Sequence, residues 1–356
     1  MVLCMVSWGE GSEISEMRAV MTDSPGRVKI VEMPRPSPGE GEVLVKLRCC
    51  GICGTDVEKV QGEGITTKIL GHETVGDLAE VGPGVDELKA GDRVFTHHHV
   101  PDLTCELCEK GEYTYCKEYL KHNLVPCGLA DYYIVPSYNV QRGAVLRLPD
   151  SLGYEEASFI EPLACCIRGL EKVDARNADS ALIYGAGPVG LMHLKLLRSF
   201  GLDKVGVADV SAYRLSLAGS MGANLTFDPA GDRERREDAL SRFEGGPDLV
   251  VLATASMAAL EEAARVVGRA GTVLLFGAPK KGATAIVDTA RLFLNGTKFI
   301  TSYAAYETET ADAMKLLAEK RIHVSDLITH RFPLERSEEA FAVAAEQMCM
   351  KALILD

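Results

Sequence analysis

The chain has 356 residues, 47% of them hydrophobic and 25% charged, with a formal net charge of −13. That length exceeds one ordinary core and calls for two domains, or one nested inside the other. The acidic balance argues against a nucleic-acid partner, since phosphate binding needs a basic face. No stretch supplies the roughly 18 uncharged apolar residues of a membrane span. Eleven cysteines are spread along the chain. Its start, "MVLCMVSWGEGSEISE", has no basic region followed by an apolar core and a small-residue cleavage site, so a cytoplasmic setting with reduced thiols is expected.

Residues 1–16 match no element and precede a second methionine, Met17. They are expected to be a disordered extension or a consequence of start-site choice. From Met17 to about Pro149, short β-like runs such as "EVLVKLRCCG" and "GDRVFTHHH" alternate with Gly and Pro. This predicts a compact, mostly antiparallel β domain. The pattern then changes. "SALIYGAG" reads as a buried strand and "PVGLMHLKLLRSFG" as a helix, with Val189, Met192, Leu196 and Phe200 on one stripe. "KVGVADV", "ANLTF", "DLVVLA", "GTVLLF" and "TKFITS" complete six apolar strands separated by crossovers, the pattern of a doubly wound parallel sheet in an α/β fold. Beyond Ser302, "TADAMKLLAEKR" reads as a helix and "KALILD" as a closing strand.

Between the first of those strands and its helix lies Gly185-Ala-Gly187-Pro188-Val189-Gly190. In that position Gly185 permits a tight turn, Gly187 lets the backbone approach a pyrophosphate at the helix N-terminus, and Gly190 allows close helix–sheet packing. Asp209 ends the next strand, where a carboxylate accepts the ribose hydroxyls of NAD and repels the 2′-phosphate of NADP. NAD is therefore the expected cofactor. Arg214 is a candidate to flank the adenosine, with a solvated helix residue as the plainer alternative.

Two further groups have the composition of metal sites. Cys53 in "CGICGTD", His72 and Glu73 in "LGHETVG", and Glu161 in "FIEPLACC" offer soft and borderline ligands suited to Zn²⁺. Taken singly, each has an ordinary structural explanation. The stretch "VPDLTCELCEKGEYTYC" contains Cys105, Cys108 and Cys116, three cysteines spaced like zinc ligands.

Taken in order, "GxCGTD", "GHE", "GDRV", the cysteine lobe, "EPLA" and "GAGPVG" resemble the zinc-dependent medium-chain dehydrogenase/reductase family, from Met17 to the C-terminus. The resemblance implies a GroES-like catalytic domain over 17–168, an inserted Rossmann NAD-binding domain over 169–302, and a segment 303–356 that completes the catalytic domain. It implies catalytic zinc ligands at Cys53 and His72. Glu73 and Glu161 are the two acidic positions that complete the shell or hold the zinc-bound water, and the sequence does not say which touches the metal. Thr55 matches the hydroxyl that passes the substrate proton outward, and Asp56 a group that orients the histidine. In the lobe the family carries a structural zinc on four cysteines. Here the first of these is Asp102, giving D-x2-C-x2-C-x7-C and a Cys3Asp site, with a metal-free lobe as the alternative.

Two departures bear on substrate. Glu58 stands where a histidine often ends the proton relay. His98, in "THHHVPD", occupies a position that is apolar or aromatic in many alcohol dehydrogenases. Histidines in an extended segment alternate in direction, so either His98 alone or His97 and His99 face the site. The expected activity is NAD-linked oxidation of a secondary alcohol in a polar, hydroxyl-rich small molecule (a polyol, cyclitol or amino alcohol). Aldose 1-dehydrogenase and threonine 3-dehydrogenase activities are the alternatives within the family. A zinc-free reductase or non-catalytic relative is the alternative outside that chemistry. A homodimer or homotetramer is expected.

Overall fold

Strands of two kinds organise the chain: half-buried alternating ones and short, wholly apolar ones. The computed structural model describes residues 15–62, 69–231 and 233–356. The expectation for 1–16 thus falls almost entirely outside the described residues. At its edge a strand already begins at Glu16, running to Ser24 and pairing antiparallel with Arg27–Pro34. Two compact units result, one holding the residues up to Glu161 together with Tyr306–Asp356, the other Pro162–Ala305. The first division falls inside the helix Ile160–Lys172 rather than at 168/169. The first turn of that helix brings Glu161 within electrostatic reach of Glu73 and Lys351 in the first unit. The return falls at Tyr306 rather than 303, where Tyr306 stacks on Tyr113 with ring centroids 4.2 Å apart.

The first unit is built on a seven-stranded sheet. At its centre lies Val43–Gly51, VLVKLRCCG, buried along nearly its whole length. It pairs antiparallel with Glu73–Val81, Tyr132–Val135 and Lys351–Leu355. Arg93–Thr96 and Val145–Arg147 extend the sheet on one side. On the other side Ile328–Pro333 runs parallel to Lys351–Leu355, an element not read from the sequence. Val45, Leu47, Leu78, Tyr133 and Ile354 share one core cluster. A fully buried side chain of this kind contributes about 1.5–3 kcal/mol, so the late strand is bound to the early ones by packing as well as by its ladder.

The second unit carries six parallel strands in the order Leu225–Phe227, Lys204–Ala208, Ser180–Tyr184, Leu249–Leu252, Thr272–Leu275, Lys298–Thr301. Strand order reverses between Ser180–Tyr184 and Leu249–Leu252. The crevice at the carboxyl ends of these two is the place where such sheets bind ligands. The glycine-rich turn occupies that place. The following helix, Pro188–Ser199, buries more than the predicted stripe: Leu191, His193, Leu194 and Leu197 are buried beside Met192 and Leu196. His193 stands edge-on to Phe276 at 4.6 Å. No helix among the described residues is long and apolar enough to cross a membrane.

Candidate active site and metal centres

Cys53 follows the central strand directly and caps the helix Gly54–Gln61 with an extended backbone, φ −94°. The third residue of that helix, Asp56, is fully buried and gathers the surrounding loop. It accepts the N–H of Cys53 at 3.4 Å and of Gly71 at 3.1 Å, and meets Nδ1 of His72 at 3.2 Å. With Nδ1 so engaged, Nε2 of His72 is the nitrogen left for a metal, the usual arrangement of a carboxylate behind a histidine ligand. Burial alone would raise the Asp56 carboxyl. The His72 ring and Lys59 outweigh it and hold the group at about 2.

Glu73 begins the strand paired with Val43–Gly51, opposite Gly51. One ligand atom each from Cys53, His72 and Glu73 lies within 4.8 Å of the others. A thiolate, an imidazole and a carboxylate converging so closely fit Zn²⁺, with room for a fourth, exchangeable ligand. Glu161 is buried in the first turn of its helix but is not among these converging atoms. Thr55 and Glu58 are both exposed on the helix that Cys53 caps.

The sequence reading missed one member of this group. Lys351, at the start of the closing strand, reaches both oxygens of Glu73, at 2.7 and 2.5 Å. Its side chain is 5% exposed and that of Glu73 is wholly buried. Burial opposes the ammonium charge, and Glu73 more than compensates, so Lys351 titrates above its usual range. A lysine opening an otherwise apolar strand was the available signal.

The three histidines part company once the strand Arg93–Thr96 ends. The His98 ring lies 4.9 Å from that of His72 and 3.9 Å from His99. His97 turns to Glu307, with Nδ1 3.0 Å from the carboxylate. Burial holds His98 and His99 far below the usual imidazole range, so both rings are neutral at pH 7. No described residue hydrogen-bonds Nδ1 of His98, which is enclosed.

In the cysteine lobe, Asp102, Cys105, Cys108 and Cys116 also bring one ligand atom each within 4.8 Å of the others. Asp102 Oδ1 accepts the N–H groups of Thr104 and Cys105 at 2.8 and 2.9 Å, which hold the carboxyl well below the usual range. Cys105 and Cys108 sulfurs are 3.6 Å apart, and Cys116 accepts N–H bonds from Asp102 and Glu118. An oxygen with three sulfurs at that spacing fits a closed tetrahedral zinc.

At the glycine-rich turn Gly185 has φ +99°, and a Cβ on Gly190 would overlap the Gly185 carbonyl. Gly187 caps the helix, Pro188 and Val189 open it, and a Cβ on Gly187 would enter open space. That open cradle at a helix N-terminus fits a pyrophosphate. Asp209 is 9% exposed; its two oxygens accept the N–H of Ala186 at 2.7 Å and of Ser211 at 2.8 Å. It therefore ties the turn to the neighbouring strand. Arg214 is half-buried in the helix Ala212–Ser220.

Comparison with known proteins bears on family and fold. Residues 39–150 match the alcohol dehydrogenase GroES-like domain family, and residues 188–319 match the zinc-binding dehydrogenase family. Sheep (Ovis aries) sorbitol dehydrogenase is 30% identical over 359 residues, covering 96% of each chain. Escherichia coli galactitol-1-phosphate dehydrogenase superposes with a TM-score of 0.85 at 27% identity, covering 95% of this chain and 100% of that one. An E. coli short chain alcohol dehydrogenase complexed with the cofactor NADH gives 0.86 at 25% identity, covering 96% and 100%. The chain belongs to the zinc-dependent medium-chain dehydrogenase family. It is an oxidoreductase that acts on CH–OH groups with zinc and a nicotinamide cofactor.

Proposed function

We propose that the protein oxidises a secondary alcohol in a hydroxyl-rich molecule of the polyol type, with NAD as hydride acceptor. The observation that carries this is the convergence of Cys53, His72 and Glu73 beside the neutral ring of His98, whose Nδ1 has no hydrogen-bond partner among the described residues. A bound zinc there supplies Lewis-acid polarisation of the substrate hydroxyl. Cys53, His72 and Glu73 would hold it, and Asp56 fixes the imidazole. Thr55 takes the hydroxyl proton outward, with Glu58 on the same exposed helix as the next acceptor. His98 offers a hydrogen-bonding wall where a simple aliphatic alcohol would need an apolar one. The sorbitol and galactitol-1-phosphate dehydrogenases similar to this chain point to the same substrate class.

Asp209 supports NAD. Each of its oxygens has accepted one backbone N–H, and each keeps a further lone pair for a ribose hydroxyl, while the negative charge disfavours a 2′-phosphate. The lobe of Asp102, Cys105, Cys108 and Cys116 would hold a second, structural zinc. Assembly is homo-oligomeric: Ile286, Phe293 and Leu294 are 87%, 85% and 73% exposed near the edge strand Lys298–Thr301, a combination that invites pairing with a second copy. The deciding test is an NAD-linked turnover screen over polyols, sugars, inositols and amino alcohols, with Cys53→Ser as control. Turnover of polyols that Cys53→Ser abolishes is the expected result. Turnover undiminished in that variant refutes the zinc assignment, and exclusive turnover of aldoses refutes the substrate class.

A further inference from the structure

Glu73 faces one cation and the candidate site of another. Its carboxylate lies within the ligand cluster with Cys53 and His72, and Lys351 spans both its oxygens from the strand Lys351–Leu355. Both side chains are buried, and the ammonium sits 5.6 Å from the Phe159 ring centroid. A carboxylate buried without a cation is costly, so removing one partner of such a pair is strongly destabilising. Two cations sharing one carboxylate repel each other, and the repulsion is stronger where water is excluded.

We infer that Lys351 is a positioning residue that stands in for the catalytic metal: it neutralises Glu73 when the site is empty and loosens the hold on zinc when it is filled. The inference rests on the reading of Cys53, His72 and Glu73 as the zinc site. With part of its charge drawn to Lys351, Glu73 would donate less to a bound metal and so leave it a stronger Lewis acid toward a hydroxyl. The pairing also explains why a lysine is tolerated in a strand whose other side chains build the core.

The test is a thermal and metal-binding cycle on the full chain, comparing wild type, Lys351→Met and Lys351→Arg, each metal-free and zinc-loaded. Loss of the lysine should destabilise the metal-free protein far more than the loaded one, so zinc should raise the Tm of Lys351→Met by more than it raises that of wild type. Any contribution from the cysteine lobe is common to both and cancels. Chelator competition should show zinc held roughly 10-fold or more tighter in Lys351→Met, a modest estimate for removing a nearby positive charge. Lys351→Arg, which keeps the charge, should resemble wild type. Equal zinc-induced gains in wild type and Lys351→Met, or weaker zinc binding in the variant, would overturn the inference and leave Lys351 a structural residue only. If Lys351→Met does not fold without metal, refolding with zinc decides: recovery only with zinc is the expected result, and failure in both conditions overturns it. Cys53→Ser separates the two readings. If that variant gains as much from zinc as wild type does, the zinc-site assignment itself has failed.

Discussion

Gly51 and Glu73 are partners across the antiparallel ladder, and the carboxylate of Glu73 folds back over the space that a side chain at Gly51 would fill. A Cβ there would overlap the carboxylate, which is pinned from its other side by Lys351. Gly51→Ala should therefore dislodge Glu73 while leaving the strand's hydrogen bonds intact. Catalytic zinc affinity should fall roughly 10–100-fold, the size of effect found when the support of a metal ligand is disturbed. Zinc titration against a chelator checks this; unchanged affinity would mean that Glu73 does not serve the metal.

Asp102 has separable duties in turn and lobe. Its Oδ1 caps the turn by accepting two N–H groups, and the carboxylate also belongs to the four-residue cluster. Asp102→Asn can keep the turn but lowers the ligand charge. Wild type should contain about two zinc ions per chain, and Asp102→Asn about one, with a lowered Tm. Elemental analysis of the purified proteins reads this directly, and two ions in both would exclude Asp102 as a ligand.

Asp131 joins the strand Tyr132–Val135 to Arg18, accepting its backbone N–H at 2.7 Å and its guanidinium at 3.0 and 2.7 Å. Burial opposes the Asp131 charge, but Arg18 outweighs it, so the carboxyl titrates below its usual value. A group depressed in the folded state adds stability above the unfolded pKa, about 3.9 for Asp, and that stability is lost as pH falls through the folded value. Asp131→Asn should thus be less stable than wild type by roughly 1–2 kcal/mol at neutral pH, Arg18 being partly solvated. The gap should begin to narrow as pH falls below about 4. Denaturant midpoints at pH 7, 5 and 3.5 measure it (chosen to straddle that value).

Asp209 presents its charge at the end of the strand Lys204–Ala208 while clamping the turn that holds Gly185 and Gly187. Asp209→Asn removes the charge and turns one acceptor into a donor facing an N–H. The preference for NAD over NADP in kcat/KM should fall by roughly 10–100-fold, mostly through loss with NAD, since bidentate acceptance of the ribose diol is then broken. A preference for NADP already present in wild type would refute the assignment.

Much of this was legible in the sequence because the signals are local. Six short apolar runs with crossovers spell out the parallel sheet, and three glycines at fixed spacing mark its ligand turn. The role of Asp56 behind His72 came only through the resemblance to the dehydrogenase family, because the two lie 16 residues apart on different elements. Lys351 was opaque for a similar reason. Its contact with Glu73 depends on the register of Lys351–Leu355 against Val43–Gly51, which no local pattern encodes. The same holds for His97 and Glu307, brought together by a strand end and a distant helix start. The choice between Glu73 and Glu161 was equally out of reach, since either carboxylate could lie near Cys53 until the strand pairing at Gly51 is known.

The pairing of Leu353 with Gly51 also sets a schedule. On the ribosome, residues 43–51 emerge long before residues 351–355, and the whole parallel-sheet unit is made in between. Until the late strand arrives, Glu73 has no buried ammonium beside it and one side of the central strand lacks its neighbour. A nascent chain therefore leaves the Cys49–Gly51 end of the central strand unpaired, next to the candidate metal-binding cluster, until the late strand is made. Closure of the first unit waits on the late strand, whereas Cys53, His72 and Glu73 are all present long before Lys351 is made.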